Sequence, residues 1–493
     1  MELDDLKALV TNYESLKDAI MREKVFIFGE AIEKDFDLRV SQYNIHTHPI
    51  YDTAKRPDKV VQNGDATFSV PVARIPIPYQ KKIVQLATTF LLGNPVELSA
   101  KPITQVETDM FNTLVKIWED NKLDYEGAAL TEAVLSMTEA AELWYTEPVS
   151  DDYWNGTPMQ GVKFKLRYML LSRSPLDSSV GNVSTGDTLY PVFNSKRDLI
   201  AFGRRYMSRE NNEPVEHFDI YTDAVIYLSF KPTANSDWTV KEEPNMLGKI
   251  PVVYYYKPHT DWHDVQPMIE RYEKSISNHA DDNDYSGSPL LIIKGKINSF
   301  AKKGEAGKVL ELDNGADASY LQPASAPESI KLEQDNLKDL IHDMSDTPHI
   351  SFEEVQGIGK LSGIALKLLF MGAHMKAAKN ETIIGKGFQR RINFLKTALS
   401  RLNTKLAPAL ALSVKPVFEY YIQKDDEAYV NMLNVATGGQ PTLSQKTALT
   451  LSPLVSDPDA EMEDIKTEGL DSLMNDILPP AKPKPAPAPA PVK

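Results

Sequence analysis

The sequence predicts an α+β protein organised around long packed helices, with a sheet-rich region and a small β insertion. Three observations carry this. Apolar residues step by three and four from Trp262 to His279, and again from Ile364 to Leu406, as on helices packed along one narrow face. Between about 161 and 256 the chain turns to runs of strand formers, "VKFKLRYMLL", "HFDIYTDAVIYLSF" and "IPVVYYY". A glycine-bounded strand, "YSGSPLLIIKGKI", then separates two helical stretches.

Residues 1 to roughly 35 read as one or two helices, opening on an acidic amphipathic stretch unlike a secretory leader. "ARIPIPYQKKIVQLATTFLLGNPVEL" runs from a Pro-rich extended segment into a helix that Gly93-Asn94-Pro95 ends. Residues 103–145 read as helical, with Phe111, Leu114, Val115 and Trp118 at helix spacing. The sheet-rich region follows. The seam of Trp262, Val265, Ile269, Tyr272, Ile276 and His279 marks a helix, and Leu337, Ile341 and Met344 mark another. "VLELDNGADASYL" predicts a hairpin whose turn is Asn314-Gly315.

The longest helix is expected over Gly363 to Leu406, where no proline intervenes; about 44 residues would span about 65 Å. Its apolar phase breaks beside Gly385 and Gly387, so a kink is expected there. A helix this long is expected to run through or between subunits rather than within one small core. An acidic helical segment, "DPDAEMEDIKTEGLDSLMND", precedes a Pro/Ala tail of polyproline II character.

Composition narrows the function. A hydrophobic content of 42% supports packed cores, and no apolar run is long enough for a membrane span. The absence of cysteine excludes disulfides, zinc–thiolate sites and thiol catalysis, and suits a reducing cytoplasm. A formal charge of −15 opposes broad affinity for nucleic acid but permits local contacts. "GIGK" (Gly357 to Lys360) suggests a phosphate loop, yet the first glycine is replaced by Glu354 and the hydroxyl by Leu361. Asp282, Asp284, Ser286 and Gly287 match part of a calcium loop whose final glutamate is Ile293, so a solvated helix end is favoured. His259 and His263 are spaced like zinc ligands but lack a third; Asp261 is read as a helix cap instead. His46 and His48 are read as loop residues. No nucleophile arrangement, metal site or cofactor site emerges, and an enzyme is not expected. Lys360, Lys367 and His374 recur every seven residues, either as solvated surface or as a positive stripe facing a polyanion.

The order of these pieces resembles the portal proteins of tailed double-stranded DNA bacteriophages, in the large siphophage-type family. Four stretches carry the resemblance: "RIPIPYQKKIVQLATTFLLGNPVEL"; "GKIPVVYYYKPHTDWHDVQPMIERYEKSISNHADDNDYSGSPLLIIKGK"; "ISFEEVQGIGKLSGIALKLLF", in which Ser-Gly-x-Ala-Leu-Lys is the most diagnostic; and the C-terminal part from "KPVFEYY" to "IKTE". The resemblance implies a ring-forming portal fold. Residues 1–260 would be the wing, 261–284 and 328–346 the stem helices, and 285–327 the clip. Residues 347–362 would be the tunnel loop, 363–406 the long kinked helix, 407–478 the helical crown and 479–493 a disordered tail without a family role. It places the tunnel loop of Phe352, Glu353, Glu354, Val355, Gln356, Gly357, Ile358, Gly359, Lys360 and Leu361 against DNA, with Lys367 and His374 as further basic positions facing the channel. The glycines then serve a hinge rather than a nucleotide cradle. It also implies a homo-oligomer, most simply a dodecamer, at the unique vertex of the virion, assembled in the host cytoplasm. Its partners would be the terminase large subunit, a head-to-tail adaptor, the major capsid and scaffolding proteins, and double-stranded DNA bound without sequence preference. Another ring-forming head or tail protein, or a P-loop-like NTPase, are the alternatives.

Overall fold

The computed structural model describes residues 13–29, 32–63, 66–173, 186–210, 213–231, 236–286, 290–295, 297–299, 311–312, 317–321, 327–349, 370–421, 426–438, 443–452, 454–455 and 457–477. The chain divides into two compact units, Met1–Ser351 with Leu369–Tyr421, and Phe352–Leu368 with Ile422–Lys493.

The first unit is layered. Strands β6 (Thr188–Phe193), β7 (Leu199–Glu210), β8 (Glu213–Tyr221), β9 (Val225–Lys231) and β10 (Thr239–Pro244) form an antiparallel meander in the order β10-β9-β8-β7-β6. Alternation sends successive residues to opposite faces. One face carries Tyr190, Ala201, Phe218 and Ile220 and receives Leu16 and Ile20 of helix α1 (Tyr13–Phe28). Gly203 permits this docking: a Cβ there would lie 3.0 Å from Ile20 Cγ2. The opposite face carries Leu189, Phe202 and Tyr221. It packs on Ala141, Leu143 and Tyr254 of a second antiparallel sheet, β11-β4-β5 (β4 Glu139–Pro148, β5 Phe164–Leu171, β11 Val252–Tyr256).

Strand β4 corrects the expectation that helix continues to residue 145. Helices α4 (Gln105–Asp120) and α5 (Leu123–Met137) end at Met137, and Glu139 already pairs with Tyr256. This strand is central and covered on both faces, so residues 139–144 are all buried and show no alternation. Without alternation, and with Glu139 and Glu142 among the buried residues, the segment carries no strand signature in sequence.

The far face of the small sheet carries helix α8 (Met371–Leu402). The described helix of 32 residues spans about 48 Å. It runs unbroken through Gly385 and Gly387, with no interruption at the expected kink. Gly387 answers a different need: a Cβ there would overlap the Tyr255 ring. Ile384, Phe388, Ile392, Leu395 and Leu399 are buried in this subunit's own core, against elements that include the Trp118 and Trp144 rings. The second half of the seam is therefore intramolecular: of the expected courses, through or between subunits, this half runs through its own.

A helical cluster closes the unit. Phe36 and Tyr43 of α2 (Ile32–Tyr43), Ile83, Val84 and Ala87 of α3 (Tyr79–Leu92) and Leu135 of α5 surround Trp262, Val265, Ile269 and Ile341. The last two lie on the paired helices α6 (Gln266–Ser286) and α7 (Pro327–Met344). Between these helices, β12 (Leu290–Lys294) pairs with β15 (Asp317–Leu321), and β13 (Ile297–Ser299) with β14 (Glu311–Leu312). The turn of the expected hairpin, Asn314-Gly315, lies outside the described residues; among those described, β14 and β15 each pair with an earlier strand. Leu290, Leu291, Ile292 and Ile293 offer β15 a five-residue register. A two-stranded ribbon, β1 (Lys59–Asn63) with β2 (Ala66–Val70), and a pair of β3 (Glu97–Ala100) with β16 (Val414–Val417) complete the unit.

In the second unit α10 (Gln445–Leu451), capped by the Ser444 hydroxyl, packs on α11 (Pro458–Ile477) and is joined to it by Lys446–Asp459 at 2.6 Å. Helix α9 (Asp426–Thr437) precedes them. No helix among the described residues is long and apolar enough to cross a membrane.

Candidate functional site

Helix α6 is fixed to the body by a ladder that its sequence dictates. Segment 73–77 is extended, because Pro76 and Pro78 bias the residues before them away from helix. Its backbone N–H groups from Ala73, Ile75 and Ile77 donate to Asp281 Oδ1 (2.8 Å), Ser277 Oγ (3.0 Å) and Glu273 Oε1 (2.8 Å). Every second residue of the strand thus meets every fourth residue of the helix. Pro76 and Pro78 have no N–H, so the other edge of the segment carries no donor at those positions. Arg56 reinforces the ladder through Asp281 (2.8 Å) and Asn278 (2.7 Å). Glu273 is buried, and His48 Nδ1 lies 3.3 Å from it. His48 is thus a core residue and His46 an exposed one. Asp282, Asp284 and Ser286 sit in the last turns of α6, not in a loop.

The tunnel-loop residues Phe352 to Leu361, and Lys367, lie outside the described residues. Both flanks of that segment are described, and they are joined. Helix α7 ends in a turn at Asp346, whose φ of +51° is left-handed, a conformation Asp tolerates. Thr347 N–H donates to His342 O (3.0 Å), and Ser345 Oγ to Thr347 Oγ1 (2.9 Å). Across from this turn, Lys376 of α8 donates to Ser345 O (2.9 Å) and pairs with Asp261 Oδ2 at 3.2 Å. Asp261 also binds Lys257, which reaches Asn380 Oδ1 (3.2 Å). Asp261 is fully buried and sits at the centre of an ion cluster, which corrects its reading as a helix cap. Lys376 and Lys257 hold its carboxyl below the usual range against the opposing effect of burial, while burial lowers the Lys376 pKa.

His374 is the one described member of the seven-residue stripe. Its ring meets Phe90 edge-on at 5.6 Å and lies 6.2 Å from Tyr420. Burial lowers its pKa, which favours the neutral ring. His259 and His263 stack at 4.3 Å. Among the described residues no group of three or more His, Asp or Glu is placed to hold a metal.

Further along α8, Arg391 and Glu142 form a fully buried two-pronged pair at 2.6 and 2.9 Å. Tyr255 and Trp144 also donate to this carboxylate, and the guanidinium lies 4.0 Å over the Phe388 ring. The ladder acceptors Glu273, Ser277 and Asp281 had a signal that sequence reading missed: polar residues at i, i+4 and i+8 on a partly buried helix. Arg391–Glu142 and Lys376–Asp261 join positions too distant in sequence to leave one.

The arrangement offers two paired helices, α6 and α7, carrying short strands at their far end, and an anchored base shared by the flanks of segment 350–369. No nucleophile is poised in it. The family model described as "Phage portal protein, SPP1 Gp6-like" matches residues 41–472. No curated protein matches the chain. Among solved structures, the neck of an empty GTA particle computed with C6 symmetry is 12% identical over 77% of this chain and 90% of that one, with a TM-score of 0.37. The neck of a native GTA particle computed with C12 symmetry is 11% identical over 76% and 88%, with a TM-score of 0.33. These two similarities are too weak to bear on the assignment. The family match alone spans the ladder, helices α6 and α7, strands β12 to β15, α8 and most of α11, and on it the chain belongs to the SPP1 Gp6-like family of phage portal proteins.

Proposed function

We propose that twelve copies of this chain form a ring at one vertex of the capsid, through which a terminase motor packages double-stranded DNA and the genome later leaves. The observation that carries the reading is the family match over 41–472. Portal proteins are structural virion components, and this chain is accordingly not an enzyme. Paired helices α6 and α7 would form the stem, and β12 to β15 the clip that meets terminase and then a head-to-tail adaptor. The segment from Phe352 to Leu361 would line the narrowest part of the channel. Capsid and scaffolding proteins would surround the ring during assembly in the host cytoplasm.

Charge supports free passage of DNA. A ring of twelve would carry a formal charge of about −180, twelve times the −15 of one chain. Such a channel repels phosphate, whereas many neutralising contacts would brake sliding in a salt-dependent way. Contacts from Lys360 would be to the backbone rather than to bases, since packaging accepts any sequence.

Electron microscopy of the purified protein tests the reading. Turbine-shaped rings with a central channel are expected; a solid shell, a helical tube or a monomer at every salt concentration overturns it. Within such rings, replacing Gly357 and Gly359 together with proline should impair packaging or retention of DNA while assembly persists. Normal packaging by that variant rejects the loop's role and leaves the ring standing.

A further inference from the structure

The outward face of α8 borders a groove that none of the functions above uses. Its cavity volume is about 630 Å³, with apolar walls from Phe193, Tyr254 and Ile383. Three cations, Arg197, Lys386 and Arg390, line it, and no carboxylate does. All three are exposed, and among the described residues none makes an ion pair. An adjoining cavity of about 520 Å³ shares Arg197 and Arg390 and adds Lys249, with Asp198 and Asp223 on its own lining. Among charged side chains the groove itself is thus lined by cations alone, on a chain of net charge −15.

The occupant must be anionic on one side and apolar on the other. A duplex presents phosphates but no apolar face, so the walls argue against DNA. An acidic amphipathic helix satisfies both demands, and the volume suits about two turns of a half-sunken helix. The chain supplies such a helix itself. Helix α11 exposes Glu461, Glu463 and Asp464, and beside them Ile465 is 37% exposed.

We propose that the groove along α8 receives helix α11 of a second copy, making this charge-matched contact part of the ring's subunit interface. The carboxylates would face Arg197, Lys386 and Arg390, and Ile465 would enter between Phe193 and Ile383. This rests on the ring reading, because it needs copies side by side.

The chain has no cysteine, so introduced pairs report without background. Full-length copies carrying only Lys386→Cys are mixed with copies carrying only Glu461→Cys or only Asp464→Cys, assembled, and oxidised with copper–phenanthroline. A band at twice the chain mass that disappears on reduction is expected in the mixtures and not in either variant alone. Reversing both Lys386 and Arg390 to Glu should lower ring yield several-fold, and adding Glu461→Lys with Asp464→Lys should restore it. Rings without any cross-link overturn the docking and leave the ring reading intact. Copies carrying both Lys386→Cys and Glu461→Cys are the control: a disulfide within one chain there, with none between chains in the mixtures, also overturns it. Failure of the unmodified chain to form rings overturns the ring reading, and this proposal with it.

Discussion

Helix α8 takes part in two buried ion clusters about four turns apart, and they are built on opposite principles. At Arg391 one guanidinium meets one carboxylate in a two-pronged pair, and Tyr255 and Trp144 supply further donors to Glu142. At Lys376 two ammonium groups share the single carboxylate of Asp261. The first cluster is matched and locks α8 to the small sheet. The second sets two lysines on one carboxylate, with Asp346 also acting on Lys376, and joins the flanks of the segment from 350 to 369. A single two-pronged pair fixes one geometry, whereas two lysines on one carboxylate leave it a partner if either is removed.

Breaking the first cluster should have the largest effect. Arg391→Leu strands Glu142 without its cation and should cost about 3–5 kcal/mol in denaturant unfolding, whereas adding Glu142→Leu should recover most of that. A double variant as unstable as the single one would mean the pair matters for its shape and not its charge. Next comes Gly387→Ala, expected to cost about 2–3 kcal/mol because the new methyl overlaps Tyr255. Gly385→Ala should change stability by under about 1 kcal/mol. Equal effects at the two glycines would restore the kink explanation.

Lys376→Met leaves Asp261 its bond to Lys257, so a smaller loss of about 1–2 kcal/mol is expected. Limited proteolysis between residues 350 and 369 should accelerate more than global unfolding shifts. A loss as large as at Arg391 would erase the contrast between the clusters. The subtlest test is pH. The Lys376 pKa is lower in the folded chain than in the unfolded one, so the unfolded state holds more protons between those two values. This group's contribution therefore becomes more stabilising as pH rises through that window, and the gain should be absent from Lys376→Met. Asp261, also lowered, contributes at neutral pH and loses that contribution as acid protonates it. Arg391 stays charged throughout, so its own titration adds no pH dependence.

Much of the helical frame was legible in the sequence, because periodicity and proline are local signals. The seam from Trp262 marked a real helix, and the prolines of 73–78 marked a real extended segment. What was not legible is what each seam faces. Phe388 and Leu399 have the spacing of an intersubunit helix, yet they fill the core of their own subunit. Strand β4, buried on both faces, resembled a helix. Asp261 has a cap's residue type and position, but its partners lie on another helix and its role is set by packing. Within the candidate loop only the flanks are described, and the clusters that hold them depend on contacts more than a hundred residues apart along the chain.

The ladder between segment 73–77 and α6 acts as a vernier. Two strand residues advance about 6.6 Å and four helix residues about 6.0 Å, so each rung drifts from register by roughly 0.6 Å. Three rungs fit within hydrogen-bond tolerance. A fourth beyond Ala73 would fall at Pro71, which has no N–H to offer. A helix held this way cannot creep. It must stay in place or jump a whole notch of about 6 Å, breaking all three rungs at once. A push along the axis of α6 is therefore passed undiminished to the body of the molecule, as a thrust bearing passes load to its housing.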